Sequence, residues 1–216
     1  MLPTTLFTGI ASWDDFTTLA ATLTEGDRGT AFEHLVRHYL RFDPKYRTKL
    51  AEVWFHHEVP ADLRTRLNFP PRDEGIDLLA RTHTGEFWAI QAKYRRDIDA
   101  TLTHRELATF TSLTFTVCRE ISFALICTTT ARIPGIFEDL PKLGDLTAET
   151  WAELGSDFFA SLRDSFSDAI VEFNKRVPHE IEADVELAPL DKALASARMT
   201  ADDLAAARTS DKVASL

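Results

Sequence analysis

The chain has 216 residues, 44% of them hydrophobic, and a formal net charge of −10. This length and apolar content suffice for one ordinary domain with a buried core. The first residues lack the basic and apolar character of a leader, and no run approaches the ~20 apolar residues of a membrane helix, so we expect a cytoplasmic protein with no membrane segment. Two cysteines, Cys118 and Cys127, are too few for a disulfide framework and are expected to be buried thiols.

The negative charge is unevenly distributed along the chain. Residues 138–216 hold 17 acidic and 8 basic side chains, a balance of −9, which leaves −1 for residues 1–137. Residues 28–72 contain 9 basic and 5 acidic side chains, a local excess of +4. The overall charge therefore does not exclude a nucleic-acid partner for the first half, although a mixed solvated surface explains the same pattern.

Helices are predicted at the start of the chain. A short helical pattern covers residues 13–23 and ends near Gly26, and a longer helix is predicted from Arg28 onwards. The apolar residues of the longer helix recur at helical spacing and predict one buried face, formed by Phe32, Leu35, Val36, Tyr39 and Leu40.

A strand and a loop are predicted next. Apolar residues within 50–59 indicate the first strand of a sheet. Residues 61–71 are then predicted to form a loop in which Arg64 and Arg66, with Arg72 just beyond it, either contact phosphates or face solvent.

Residues 72–95 predict a β-hairpin whose turn is made by Thr84 and Gly85. Side chains alternate along a strand, so Gln91 and Lys93 share one face of the second strand. Antiparallel pairing brings Asp77 of the first strand beside Gln91, because cross-strand partners lie only ~5 Å apart. The hairpin therefore predicts an acid, an amide oxygen and an amine at one point.

These three groups have the chemistry of a phosphodiester hydrolase. A carboxylate and an amide oxygen are hard ligands of the type that Mg²⁺ binds while it keeps several waters. A neighbouring lysine can orient or deprotonate a metal-bound water and can offset the charge on the attacked phosphate.

The remaining elements complete an alternation of helices and strands. Thr103 and Glu106 predict a capping box that opens a helix up to residue 113. The apolar run 121–127 is typical of a central strand covered on both faces. One or two amphipathic helices follow within 151–173, and their aromatic residues are expected to close the core.

The hairpin residues resemble a known family. Asp77 followed by Gln91, Ala92 and Lys93 is similar to the PD-(D/E)XK nuclease motif in the Gln-x-Lys form typical of Mrr-like restriction endonucleases. The likeness extends over roughly residues 28–130 and is closest to the N-terminal nuclease domain of Type ISP restriction enzymes and related helicase-linked defence proteins. The chain departs from the pattern in lacking a proline directly before Asp77 and in having Gln91 where an acidic residue is commoner.

The resemblance implies an α/β fold with a restriction endonuclease-like core, in which a mixed central sheet is flanked by helices on both faces. It also implies two regions. Residues 1–176 are expected to form an Mrr-like nuclease domain with an N-terminal helical extension, and residues 177–216 an acidic, alanine-rich tail or linker.

The same resemblance assigns roles to particular residues. The catalytic residues are expected to be Asp77, Gln91, Lys93 and Glu33, the last contributed by the first long helix. The metal is expected to be Mg²⁺, for which Mn²⁺ can substitute, and its ligands to be Asp77, Gln91, Glu33 and Asp73. Without the resemblance, Glu33 reads as a solvent glutamate near a positive helix N-terminus.

Four residues are expected to contact double-stranded DNA, namely Arg72, Tyr94, Arg95 and Arg96. Arg95 and Arg96 have an equally good alternative, which is to pair with Asp97 and Asp99. The chain contains no phosphate-loop motif for ATP. A helicase, translocase or methyltransferase is therefore expected as a partner or as part of a longer parent chain, and a homodimer is a further expectation.

The leading hypothesis from the sequence is a Mg²⁺-dependent DNA endonuclease of a bacterial restriction or anti-phage defence system. One alternative is a catalytically inactive nuclease-fold module that binds DNA or docks a protein. A second alternative is a structural α/β domain in which Asp77 and Lys93 form a buried ion pair.

Overall fold

The computed structural model describes residues 6–137 and 140–166. Its centre is a mixed sheet of five strands in the order β1-β2-β3-β4-β5. The strands β1 to β3 are antiparallel neighbours, whereas β3, β4 and β5 run parallel. Their bounds are Leu50–Phe55, Leu78–Thr82, Phe87–Lys93, Ile121–Thr128 and Leu143–Leu146. The predicted mixed sheet with helices on both faces, a restriction endonuclease-like α/β arrangement, is confirmed.

The predicted hairpin is formed by β2 and β3. Leu78 pairs with Ile90 and Arg81 with Phe87, and Gly85 lies in the turn with φ +89°. A positive φ costs glycine little, because it has no Cβ to clash with the backbone. The antiparallel register places Asp77, which directly precedes β2, opposite Gln91.

Three helices precede the sheet and cover its first face: α1 (Trp13–Thr22), α2 (Glu25–Phe42) and α3 (Pro44–Arg47). The helix α2 begins earlier than predicted, because the hydroxyl oxygen of Thr24 accepts the main-chain N–H of Asp27 and caps it. The face predicted to be buried is confirmed, since every one of its five residues is shielded from solvent. These residues pack on Val53, Leu78 and Ile90 of the sheet.

The second face is covered by α4 (Ala61–Leu67) and α5 (His104–Ser112), and α5 continues into a π-helical turn over Leu113–Val117. The prediction of a loop over residues 61–71 is wrong for its first half. Leu63 and Leu67 are one helical turn apart and both are buried, and Asn68 then ends the helix in a left-handed conformation with φ 50°. The predicted capping box of Thr103 and Glu106 is confirmed.

The predicted central strand is confirmed as β4, which lies between two parallel partners. After β5 come α6 (Ala148–Ala152) and a helix α7 that is described over 156–166. Trp151 of α6 is completely buried, and its indole N–H donates to the carbonyl of Thr128 at 2.7 Å. The predictions for Ile170 and Phe173, the boundary at residue 176 and the tail 177–216 lie outside the described residues.

The expectation for the two cysteines is met in the described part of the chain. Cys118 and Cys127 are both buried free thiols. Within residues 6–137 and 140–166, none of the helices has both the length and the apolar character needed to traverse a bilayer.

Candidate active site

A cleft of about 550 Å³ lies where β3 ends, beside the first half of α2. The helix contributes Arg28 and Glu33, and the strand and the residues after it contribute Lys93 and Tyr94, with Asp77 from the neighbouring β2 end. Three of the predicted catalytic residues, Asp77, Lys93 and Glu33, therefore line one cleft. Its volume lies in the range of sites that hold small molecules or parts of larger substrates.

The hairpin ladder fixes Asp77 at this cleft. Its main-chain N–H donates to the carbonyl of Ile90 at 3.0 Å, which extends the pairing of β2 with β3 by one residue. Its carboxylate accepts the main-chain N–H of Ala92 at 2.5 Å. Asp77 is thus held from two directions, and one of its oxygens is already occupied by a strong charge-assisted hydrogen bond.

Gln91 lies directly opposite Asp77 on β3 and is only 2% exposed. Its side-chain oxygen is buried and has no hydrogen-bond partner among the described residues. Its amide nitrogen lies beside Gly75. A Cβ added at Gly75 would be 3.4 Å from this nitrogen. A buried carbonyl oxygen without a partner costs free energy, so this atom is a position where a ligand would be stabilising.

Glu33 lies on α2 and lines the same cleft as Asp77. Burial raises the pKa of Glu33 to about 8, and the negative charges of Asp77 and Asp73 add to the rise, whereas Lys93 opposes it. Burial also raises the pKa of Asp77 to about 7, against the hydrogen bond from Ala92, with Asp73 adding to the rise. Acids held close together in a shielded place resist ionisation, and an additional positive charge in the cleft would reverse this.

The donors fit a hard divalent cation. Among residues 6–137 and 140–166, no three acidic, histidine or cysteine side chains come together as a preassembled metal group. Of the residues expected to hold a metal, Asp77 and Glu33 line the cleft, whereas Gln91 does not, and its amide oxygen is buried without a partner among the described residues. Such an all-oxygen set suits Mg²⁺ or Mn²⁺ rather than a soft metal.

Asp73 reaches this region from the segment that precedes β2. It is exposed, and its carboxylate accepts the main-chain N–H of Gly75 at 3.2 Å. The segment is anchored by the carbonyl of Pro70, which accepts both from the ring of His56 and from the guanidinium of Arg64, each at 3.1 Å. Arg72, between the anchor and Asp73, is exposed to solvent.

The two arginines within residues 61–71 have partners away from the cleft. Arg64 donates to three main-chain carbonyls, those of Val59, Pro70 and His56, and so holds the chain together. Arg66 forms an exposed ion pair with Glu120, which directly precedes β4 and therefore lies at the opposite end of the parallel strands from the cleft. Neither residue lines the cleft.

The two arginines after the motif lysine also differ from each other. Arg95 forms an ion pair with Glu106, a partner that sequence proximity did not suggest, and its main chain exchanges hydrogen bonds with the hydroxyl of Thr129. Burial tends to raise the pKa of Glu106, but hydrogen bonds from Thr103 and Arg95 lower it to about 2. Arg96 is exposed and makes one long contact, 3.4 Å, with the carbonyl of Ala21.

One cleft residue was not assigned a role from the sequence. Arg28 lies on the first turns of α2 and lines the cleft with Glu33, five residues further along the same helix. The sequence feature that could have indicated a role for Arg28 was its place on the helix that was expected to carry Glu33. Its position relative to β3 depends on how the helix crosses the sheet, which periodicity does not report.

Comparisons with known proteins concern the fold of the chain and the family that it resembles. Residues 41–143, which include Asp77, Gln91 and Lys93, match the family model Mrr_cat_2, described as "Restriction endonuclease". A solved structure, "ATP-dependent Type ISP restriction-modification enzyme LlaBIII bound to DNA", is similar in fold with a TM-score of 0.50 and 21% identity. The match covers 66% of this chain and 8% of that one, so this chain corresponds to a small part of that enzyme. No curated protein matches the chain. Residues 41–143 of this chain are therefore similar to the restriction endonuclease domain that the Mrr_cat_2 model describes.

Proposed function

We propose that the chain hydrolyses phosphodiester bonds of double-stranded DNA, with Mg²⁺ as its cofactor and Mn²⁺ as a substitute, within a bacterial restriction or anti-phage defence system. The observation that carries this proposal is the meeting of Glu33, Asp77 and Lys93 on one cleft, beside the unpartnered amide oxygen of Gln91. The family match supports a nuclease, and the similar solved structure is a restriction-modification enzyme bound to DNA.

In this proposal the acidic side of the cleft is the metal site. Asp77 and Gln91 hold the ion from the two paired strands, Glu33 approaches from α2, and Asp73 completes the ligands. A bound ion would lower the pKa of a water and offset negative charge on the phosphate. The raised pKa values of Glu33 and Asp77 support this assignment, because burial and neighbouring negative charge disfavour their ionised forms and a bound cation would oppose that effect.

Lys93 has the complementary role. It is half-buried, and its ammonium lies close enough to Glu33 and Asp77 to lower the pKa of both. An amine held there can hydrogen-bond the attacking water and stabilise the negative charge that develops on the phosphate.

The DNA backbone is proposed to lie along the rim of the cleft. Tyr94 and Arg96 line the cleft, and the exposed Arg72, which does not line it, is proposed to contact the backbone as well. Arg95 is paired with Glu106 and is proposed to support the rim rather than to contact phosphate. A motor or methyltransferase, in a partner or a longer parent chain, is proposed to deliver the DNA. We also propose a cytoplasmic setting.

A second candidate function is a catalytically inactive module that keeps the fold and binds DNA or protein. Two observations favour it. Gln91 is a neutral ligand in place of a carboxylate, and the described residues contain no group of three acidic, histidine or cysteine side chains placed to bind a metal. A weakly held ion would leave the site inactive.

Cleavage of supercoiled plasmid DNA separates the two candidates. The wild-type chain is incubated with plasmid in Mg²⁺, Mn²⁺, Ca²⁺ or EDTA and compared with Lys93→Ala. The matched control is Lys142→Ala, which removes an exposed lysine just before β5, at the opposite end of the parallel strands. Metal-dependent nicking by wild type and Lys142→Ala, lost in Lys93→Ala, supports the enzyme; an intact plasmid with all three proteins in every metal supports the module.

A further inference from the structure

One charged residue of the cleft, Arg28, has no role in the function proposed above. The guanidinium of Arg28 lines the cavity together with the acids, and its Nη1 atom is buried without a hydrogen-bond partner among the described residues. A shielded cationic nitrogen that donates to nothing is costly, because it has lost water and gained no acceptor. An anionic oxygen in the cleft would satisfy it.

Tyr94 lies next to Arg28 and completes this side of the cleft. Its ring packs against Phe16 and Phe32 at centroid distances of 6.5 and 6.1 Å, which restricts the direction of the hydroxyl. Burial raises the pKa of this hydroxyl, and the charges of Arg28 and Arg96 oppose the rise. All three residues line the same cleft, and all three are hydrogen-bond donors.

The neighbouring arginine provides an internal contrast. Arg95 lines the same cleft, but its guanidinium is paired with Glu106 and with the carbonyl of Tyr94. Within residues 6–137 and 140–166, Arg96 makes only a long contact with a carbonyl, and Arg28 leaves one terminal nitrogen unpaired. The donors open to a ligand in this part of the described chain are therefore those of Arg28, Tyr94 and Arg96.

We infer that Arg28, Tyr94 and Arg96 bind the DNA backbone phosphate that neighbours the scissile phosphate. The inference rests on the proposed nuclease function, which places the scissile phosphate at Glu33, Asp77 and Lys93. Arginine forks match phosphate oxygens in geometry and charge. The same cleft is lined by the carboxylates of Glu33 and Asp77 and by the cationic Arg28 and Arg96, which favours a DNA strand that contacts both kinds of group over a free anion, which the carboxylates would repel.

Arg28→Gln tests the inference through binding without cleavage. Fluorescence anisotropy of a labelled duplex is measured in EDTA over a series of NaCl concentrations. We expect Arg28→Gln to bind about tenfold more weakly, and the slope of log affinity against log salt to fall by about 0.9, the value for one lost phosphate contact. Arg28→Lys, which keeps the charge and loses the fork, is expected to fall between wild type and Arg28→Gln.

Arg66→Gln is the matched control, because it removes the same charge from the far end of the sheet. Thermal unfolding distinguishes binding from a structural role: Arg28→Gln should keep the wild-type Tm, since the unpaired nitrogen has no protein partner to lose among the described residues. A lowered Tm with an unchanged salt slope would assign Arg28 a structural role and overturn the inference. An affinity and slope of Arg28→Gln equal to those of Arg66→Gln would also overturn it.

Failure of the proposed function gives a different result. If wild type cleaves DNA, Arg28→Gln should raise KM in Mg²⁺ with kcat largely retained, and an unchanged KM would contradict the phosphate site while leaving the nuclease intact. If wild type binds DNA with the expected slope but never cleaves it, the nuclease proposal fails and the phosphate site stands on the binding data. A wild type with no salt-dependent DNA binding overturns both.

Discussion

Replacing Glu33 by glutamine is expected to stabilise the metal-free protein at alkaline pH and to abolish metal-dependent cleavage. Burial and the neighbouring acids raise the pKa of Glu33 to about 8, so the folded protein holds this proton where an unfolded chain has released it. Between the ordinary pKa of 4.5 and about 8, the folded state binds more protons than the unfolded state. Stability is therefore lost as the pH rises through this window and changes little above it.

The size of the effect follows from the same pKa. A rise from 4.5 to about 8, at about 1.4 kcal/mol per pKa unit, sets an upper bound of about 5 kcal/mol. Glu33 is half-buried and solvent relaxes around it, so we expect Glu33→Gln to gain about 2–4 kcal/mol at pH 9. At pH 4 the two proteins should be equally stable, because glutamine resembles the protonated acid.

The assay is urea unfolding in EDTA at pH 4, 7 and 9, followed by circular dichroism. Glu120→Gln is the matched control, because Glu120 is exposed and its ion pair with Arg66 lowers its pKa. This control is expected to show no gain in stability on going to pH 9. A stability difference between wild type and Glu33→Gln that is the same at pH 4 and pH 9 would refute the reasoning that the acids are crowded in a shielded cleft.

Three further substitutions test the surroundings of the site. Gln91→Glu places a carboxylate where the buried amide oxygen has no partner, so it should lower the free energy of unfolding in EDTA by about 1–3 kcal/mol. It should also lower the Mg²⁺ concentration at the midpoint of a thermal-shift titration. An unchanged midpoint would remove Gln91 from the ligands. Gly75→Ala adds a side chain to a residue with φ +124°, in contact with the amide of Gln91, and is expected to cost about 1–3 kcal/mol in urea unfolding. The control Gly85→Ala is also at positive φ, but no atom lies within 4 Å of its Cβ, so it should retain more cleavage activity than Gly75→Ala. Arg64→Ala removes hydrogen bonds to three carbonyls, of which that of Pro70 keeps the ring of His56 as a partner, and is expected to cost about 2–3 kcal/mol. An effect no larger than that of Arg66→Ala would contradict the anchoring role.

Local patterns predicted the parts of the site that lie on one hairpin. Alternation along β3 put Gln91 and Lys93 on one face, and the short turn at Gly85 allowed the register that brings Asp77 opposite Gln91. Both results follow from strand geometry, because side chains repeat every two residues and a hairpin turn sets the pairing. The catalytic roles themselves stay predictions until cleavage is measured.

Partners that are distant in sequence were missed. Arg95 was expected either to bind phosphate or to pair with Asp97 or Asp99, yet it pairs with Glu106 on α5. The choice depends on where the chain turns after β3 and where α5 begins, and charge pattern alone does not specify either. For the same reason residues 61–67 were predicted to be a loop, although two leucines one turn apart pack a helix onto the sheet.

The amino-acid sequence by itself determined which residues face each other across β2 and β3, and which face of α2 is apolar, because these follow from fixed backbone periods. Tertiary structure alone decided that α2 lies beside the end of β3, so that Glu33 and Arg28 line the same cleft as Asp77 and Tyr94. It also decided how deeply these charges are shielded. Burial arises from every element packed around a group, so the raised pKa values of the two acids have no counterpart in any local stretch of sequence.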